Sequence, residues 1–123
     1  MIKKILIVED EPLVRKSLQK LLIKRGCEVD VSATGKGAIK KIHYNCYDRI
    51  ICDLMLQDIT GFDVIEESKK WFSLDQIHHK FVIITAYSSK QVLDKASSYG
   101  CKVLSKPFDN MGQALDILIA EDS

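Results

Sequence analysis

The sequence has no excess of charge of either sign. Its 123 residues include 18 Lys and Arg against 17 Asp and Glu, which gives a formal net charge of +1. Surfaces that bind nucleic acid or membranes need an excess of Lys and Arg. We therefore expect no direct DNA binding and no membrane contact, and function should depend on local charge.

The sequence also lacks paired cysteines and long apolar runs. Its four cysteines form no CxxC motif, and two fall inside predicted strands, which is typical of small core residues in a reducing compartment. The apolar stretch at residues 1–8 is interrupted by Lys3 and Lys4 and is too short for a signal peptide or a membrane span. We expect a soluble, cytoplasmic protein in which one domain fills residues 1–123.

Four apolar runs end abruptly in polar or charged residues, as buried strands of a parallel sheet do. In open α/β sheets, the C-terminal ends of the strands form the ligand crevice. The residues delivered to that edge are Glu9, Asp10 and Glu11 after the first run, Asp53 after residues 50–52, Thr85 after residues 81–84, and Lys106 after residues 101–105.

Helical periodicity separates these runs. A first helix is predicted from Pro12 to a left-handed cap at Gly26, and a short second strand follows at residues 28–32. Residues 73–80 are predicted to be a polar connection. Later helices are expected after Thr34, near Phe62, after Ser88 or Ser89, and after a cap at Asp109; they carry apolar residues inward, among them Val92, Leu93 and Ala96.

Five strands alternating with five helices predict an α/β, flavodoxin-like, doubly wound fold. The parallel five-stranded sheet should have the order 2-1-3-4-5, with its switch point between strands one and three. Glu9, Asp10 and Asp53 would flank that point. Carboxylates gathered there repel one another, and Mg²⁺ is the natural ion to relieve the repulsion, since it binds carboxylates and shares phosphate oxygens.

Asp53 is then either a third metal ligand or a nucleophile. An aspartate that accepts a phosphoryl group needs donors for the phosphoryl oxygens. Lys106 and Thr85 can supply them.

Five motifs together resemble the receiver domain of bacterial two-component response regulators. They occur in the order and with the spacing of that family, and the resemblance covers essentially all of the chain. The motifs are Val8-Glu9-Asp10-Glu11, Asp53-Leu54-Met55-Leu56, Asp58-Ile59-Thr60-Gly61, Ile84-Thr85-Ala86 and Lys106-Pro107-Phe108.

The resemblance implies that Asp53 accepts a phosphoryl group in a Mg²⁺-dependent reaction. The donor would be a sensor histidine kinase or a histidine phosphotransfer protein, and the output would be contact with a downstream protein target. A weak homodimer is left open. Asp10 and Asp53 would ligate the metal with the backbone carbonyl of Met55, and Glu9 would act through a coordinated water.

The resemblance further implies that Thr85, Ala86 and Lys106 bind the phosphoryl group and switch, and that the Lys106–Pro107 peptide bond is cis. Three positions depart from the family pattern. Glu9 replaces the commoner aspartate, and Gln57 stands where many receivers have proline. Val103 occupies the position of the usual aromatic switch residue, so a different readout is expected.

Three other functions fit the sequence less well. A haloacid-dehalogenase-type phosphatase needs a second carboxylate two residues after the nucleophile, where this chain has Met55. A flavodoxin-like cofactor site would repel a phosphate at Glu9 to Glu11, and a degenerate receiver would lack residues that are present here. His78 and His79 are expected at the surface of a strand, where adjacent side chains point opposite ways, so they are not expected to form a metal pair.

Overall fold

A computed structural model describes residues 2–121. None of the helices within that range is long and apolar enough to cross a bilayer. The strands are β1 (Lys4–Val8), β2 (Glu28–Ser32), β3 (Arg49–Asp53), β4 (Phe81–Thr85) and β5 (Lys102–Ser105). The helices are α1 (Pro12–Lys24), α2 (Gly35–Tyr44), α3 (Gly61–Ser68), α4 (Leu74–Lys80), α5 (Lys90–Ser98) and α6 (Met111–Ile119).

The five strands form one parallel sheet in the order β2-β1-β3-β4-β5. The predicted fold class and strand order are confirmed. After β1 the chain adds β2 on one side and β3 on the other, so the order reverses at β1 and a crevice opens between the ends of β1 and β3. Val8 pairs with Cys52 in this register, which places Glu9 beside Asp53.

Two apolar clusters cover the two faces of the sheet. One packs α2, α3, α4 and α5 against the strands, and the other packs α1 and α6. Every residue of β3 and β4 is buried, because both strands are central and covered on both sides. The sheet is therefore a rigid base for the residues at its C-terminal edge.

Residues 74–80 form α4, a helix in addition to the five that the sequence predicts, so the prediction of a polar connection is wrong. Its start is a capping box, in which Ser73 Oγ accepts from the Gln76 N–H at 3.2 Å and the Gln76 side chain accepts from the Ser73 N–H at 2.9 Å. A helix this short is unstable alone, and the buried side chain of Ile77 fixes it to the core. His78 and His79 therefore lie on a helix and not on a strand, with ring centroids 4.8 Å apart.

Helix ends follow the sequence closely, with one correction. Gly26 and Gly100 have φ angles of +90° and +70°, as expected for left-handed helix ends. Asn110, and not Asp109, caps α6, because the Asn110 side-chain oxygen accepts from the Gln113 N–H at 3.0 Å.

The side chain of Leu93 is exposed, so the prediction that it points inward is wrong. Val92 and Ala96 are four residues apart and share the inner face of α5, whereas Leu93 lies about 100° further round the helix. The apolar stripe of α5 is thus narrower than predicted.

Candidate functional site

Three carboxylates meet where β1 and β3 end. Glu9 is fully buried, Asp53 is 4% exposed and Asp10 is half-buried. One carboxylate oxygen of each lies within 4.8 Å of the other two. Because buried carboxylates are costly without a partner of opposite charge, this cluster requires a cation.

Lys106 supplies part of that charge from the residue that follows β5. Its Nζ atom lies 2.8 Å from Glu9 Oε1 and 3.2 Å from Asp53 Oδ2. Burial lowers the pKa of Lys106, but the hydrogen bond to Glu9 and the charges of Asp53 and Glu9 outweigh it and raise the pKa overall. The peptide bond from Lys106 to Pro107 is cis, the isomer that the resemblance implies.

The turn that carries Glu9 and Asp10 is held by Arg15, which sequence reasoning missed. The guanidinium of Arg15 donates to the backbone carbonyls of Glu9 at 3.0 Å and Asp10 at 3.4 Å, so these hydrogen bonds hold the backbone of the turn and not its carboxylates. Glu11 lies outside the cluster and is exposed, but its N–H donates to Glu9 Oε2 at 3.3 Å. Both carboxylate oxygens of Glu9 therefore accept hydrogen bonds from the protein.

One ammonium against three carboxylates leaves the site negative. Burial, a hydrogen bond with Glu9 and the charge of Glu9 all raise the pKa of Asp10, and the charge of Lys106 lowers it by less. An excess of carboxylate oxygens is the ligand set that Mg²⁺ prefers. The residues present therefore fit a magnesium ion. The hydrogen bonds at Asp53, of 3.2 and 3.4 Å, are longer than those at Glu9, of 2.8 and 3.3 Å.

Thr85 ends β4 at the same edge. Asp53 pairs with Ile84 in the sheet register, so Thr85 lies one residue further along the neighbouring strand. Its hydroxyl oxygen accepts from the Tyr87 N–H at 2.9 Å, and its carbonyl accepts from the Lys106 N–H at 2.8 Å. The buried threonine is thus joined both to the loop after β4, which begins with the exposed Ala86, and to the lysine.

The loop after Asp53 folds back as a narrow hairpin. The Met55 N–H donates to Asp53 Oδ1 at 3.4 Å, and Met55 pairs with Thr60 in an antiparallel bridge. Gly61 closes the loop, and a Cβ there would lie 2.6 Å from the backbone oxygen of Asp53. Only glycine allows that approach, which brings the start of α3 against the end of β3.

Val103 lies in β5 and is half-buried, packed against the same apolar cluster as Val92. Near it, the Ser105 hydroxyl donates to the Ser88 hydroxyl at 3.1 Å, so the loop after β4 is linked to the end of β5. The position of the usual aromatic switch residue is therefore filled by a short aliphatic side chain.

A family model described as the response regulator receiver domain matches residues 5–116. Among relatives, the chain is 33% identical over 107 residues to the response regulator ArlR of Staphylococcus saprophyticus, covering 86% of this chain and 46% of that protein. It is 30% identical to a probable transcriptional regulator, ycf29, of Porphyra purpurea, covering 85% of this chain and 50% of that protein. The chain thus spans about half the length of these relatives.

Solved structures give the same picture. The response regulator TrrA of Thermotoga maritima, in complex with Mg²⁺ and BeF, is 32% identical with a TM-score of 0.72, covering 95% of this chain and 99% of that chain. The chemotaxis response regulator CheY4 of Vibrio cholerae is 26% identical with a TM-score of 0.82, covering 96% and 97%.

Proposed function

The chain belongs to the response regulator receiver domain family, and we propose that Asp53 is the residue that accepts the phosphoryl group in two-component signalling. The observation that carries this proposal is the place of Asp53: a nearly buried carboxylate at a strand end, 3.2 Å from the ammonium of Lys106. Such a carboxylate is held still and faces a fixed positive charge. Both features favour attack on an anionic group.

Asp10 and Asp53 would hold Mg²⁺ directly, with the backbone carbonyl of Met55 as a further oxygen ligand and Glu9 acting through water. When bound, the ion would neutralise charge on the phosphoryl oxygens. Glu9 is fully buried and its hydrogen bonds are shorter than those of Asp53, which supports its indirect role. Lys106 and Thr85, with Ala86 beside it, would bind the remaining phosphoryl oxygens.

In the proposed transfer, an Asp53 carboxylate oxygen forms a bond to phosphorus while the bond from phosphorus to the donor imidazole nitrogen breaks. The bonding electron pair returns to the imidazole, which takes up a proton from water. The carboxylate charge of Asp53 is lost as the electron pair passes to the imidazole, and the phosphoryl group brings its own negative charge to Asp53, so Lys106 remains the counter-charge throughout. The product is an aspartyl phosphate.

The proposed donor is a phosphohistidine on a sensor kinase or a phosphotransfer protein. An open groove of about 520 Å³ begins at Lys106 and lies between α1 and the loop that leads from β5 into α6. A partner that brings phosphohistidine to Asp53 would cover this groove. Its apolar lining residues are Leu13, Val14, Leu18, Ala86, Pro107, Phe108 and Met111.

We propose a signalling module and not a turnover enzyme. Met55, two residues after Asp53, is half exposed and apolar, and it cannot act as the proton shuttle of an aspartyl-phosphate phosphatase. The phosphorylated form would instead present a changed surface to a downstream protein. The four free thiols fit the reducing cytoplasm as the compartment.

The test is incubation with acetyl phosphate and Mg²⁺, followed by intact mass measurement. The wild type should gain one phosphoryl mass, and omission of Mg²⁺ should abolish the gain. Asp53→Asn should gain none, whereas Asp94→Asn, which changes an exposed carboxylate on α5, should match the wild type. A gain in Asp53→Asn equal to that of the wild type would refute the assignment.

A further inference from the structure

Asp58 joins the loop after β3 to the first turn of α2. Its Oδ1 atom accepts from the Gly35 N–H at 3.0 Å, and its Oδ2 atom accepts from the Lys36 N–H at 2.9 Å. The first N–H groups of a helix have no partner within the helix, so these bonds satisfy two donors at once. The carboxylate also lies at the positive end of the helix dipole.

Apolar contacts reinforce the same junction. A Cβ atom at Gly35 would lie 2.4 Å from Ile59 Cγ1 and 3.3 Å from Leu56 Cδ1. The side chains of the loop therefore rest directly on the backbone of Gly35. Both Leu56 and Ile59 also pack against the core cluster on that face of the sheet.

The other side of this loop leads to the candidate cation site. Met55 and Thr60 close the hairpin, and Gly61 lies against the backbone of Asp53. At its tip stands Gln57, whose backbone has no ring to restrict φ as a proline would. The conformation of residues 54–60 must therefore be fixed by contacts. Leu54 bonds to β4 at one end of the loop and Thr60 to α3 at the other, and the two hydrogen bonds of Asp58 join its middle to α2.

We propose that Asp58 is a positioning residue for the cation site, which fixes residues 54–60 through α2 and thereby raises the affinity for Mg²⁺. This inference rests on the proposed function, because it takes Met55 in that loop as a ligand. Removing hydrogen-bond partners outside the ligand sphere typically weakens metal binding about 10-fold to 100-fold. We expect Asp58→Ala to raise the Mg²⁺ dissociation constant by about 10-fold.

A purely structural role for Asp58 as a helix cap makes a different prediction, and Thr34 provides the matched control. Thr34 Oγ1 accepts from the Gly37 N–H at 3.0 Å, so it caps the same helix, and its hydrogen bonds within residues 2–121 go to Ser32, Gly37 and Ala38 and not to the loop. Thr34→Ala and Asp58→Ala should lower the thermal midpoint by similar amounts. Only Asp58→Ala should weaken Mg²⁺ binding, and Thr34→Ala should stay within about 2-fold of the wild type.

The experiment is calorimetric titration of Mg²⁺ into the whole chain, with amide NMR spectra of the metal-free proteins. Asp58→Asn keeps one acceptor oxygen and should give an intermediate dissociation constant, which keeps the test open if Asp58→Ala fails to fold. The amides of residues 54–61 should shift in Asp58→Ala and not in Thr34→Ala.

The possible results separate the two proposals. No Mg²⁺ binding by the wild type would overturn the cation site, and this inference with it. Normal Mg²⁺ binding by the wild type and by both Asp58 variants would overturn this inference alone. Equal weakening by Thr34→Ala and Asp58→Ala would also overturn it, since the cause would then be the helix end and not the loop.

Discussion

Replacing Asp10 with asparagine should stabilise the protein when no divalent cation is present. The carboxylates of Glu9, Asp10 and Asp53 lie within 4.8 Å of one another. Two like charges at about 4.8 Å repel by about 3.5 kcal/mol at an effective dielectric constant of about 20. Lys106 offsets part of this repulsion and Asp10 is half-buried, so we expect the free energy of unfolding to rise by about 1 to 3 kcal/mol.

The gain should depend on pH. Burial and the neighbouring Glu9 raise the pKa of Asp10 above its ordinary value of 3.8. An acid with a raised pKa in the folded state contributes stability that is complete below the unfolded pKa and is lost as pH rises through the folded pKa. As pH rises from about 3.8 through the raised pKa of Asp10, the wild type should lose that stability and Asp10→Asn should not. The difference in free energy of unfolding between the two proteins should therefore grow toward neutral pH.

Urea unfolding followed by circular dichroism measures the effect, with EDTA and then with Mg²⁺. At a concentration 100 times the dissociation constant, Mg²⁺ should stabilise the wild type by about 2.7 kcal/mol. Asp10→Asn should gain much less, because it lacks a direct ligand. Asp94→Asn, in an exposed pair with Lys90, should change stability little in either buffer.

Lower stability of Asp10→Asn than of the wild type in EDTA would refute the reasoning. It would mean that the carboxylate makes a net favourable contact that outweighs the repulsion. An equal gain from Mg²⁺ in both proteins would separately remove Asp10 from the ligand set.

Three further predictions concern the lifetime, readout and acid stability of the protein. Tyr87 is 67% exposed beside the site and carries no carboxylate to orient a water, so self-dephosphorylation of Asp53 should be slow. Tyr87→Glu should shorten the lifetime of phosphorylated Asp53, and an unchanged lifetime would contradict this prediction. Val103 has few rotamers, so in amide NMR spectra beryllofluoride should shift the signals of residues 86–92 more than those around Val103. Larger shifts around Val103 would contradict this prediction. The hydrogen bond from the backbone N–H of Lys4 is the main cause that holds the pKa of Asp48 below its ordinary value of 3.8. The Asp48 carboxylate therefore stabilises the fold at pH values above 3.8, and this stability is lost as pH falls through the depressed pKa. Asp48→Asn should not show this loss. Identical acid unfolding curves for the wild type and Asp48→Asn would contradict a stabilising role for the Asp48 carboxylate.

The meeting of Glu9, Asp53 and Lys106 could be predicted from sequence because the ends of parallel strands share one edge. That argument uses only strand periodicity and order. The closer approach of Lys106 to Glu9 than to Asp53 could not be predicted. Differences of a few tenths of an ångström depend on the packing of the whole edge.

The parts that escaped prediction have weak or distant signals. Only Ile77 of α4 is buried, so that helix has no apolar periodicity, and the capping box of Ser73 and Gln76 was its one local sign. Asp58 lies 23 residues from the backbone that it caps. No pattern within a short window links a carboxylate to a helix start that is so far away along the chain.

The burial of Cys52 gives the protein a built-in probe of its central strand. Cys27, Cys52 and Cys101 are buried, and Cys46 is exposed. Desolvation raises the pKa of Cys52 and raises that of Cys101 to about 12, so neither thiol forms the reactive thiolate at neutral pH. A maleimide should therefore modify Cys46 at once and the others only when the fold opens. Because Cys52 directly precedes Asp53, its rate of alkylation would measure how often the strand that carries Asp53 opens.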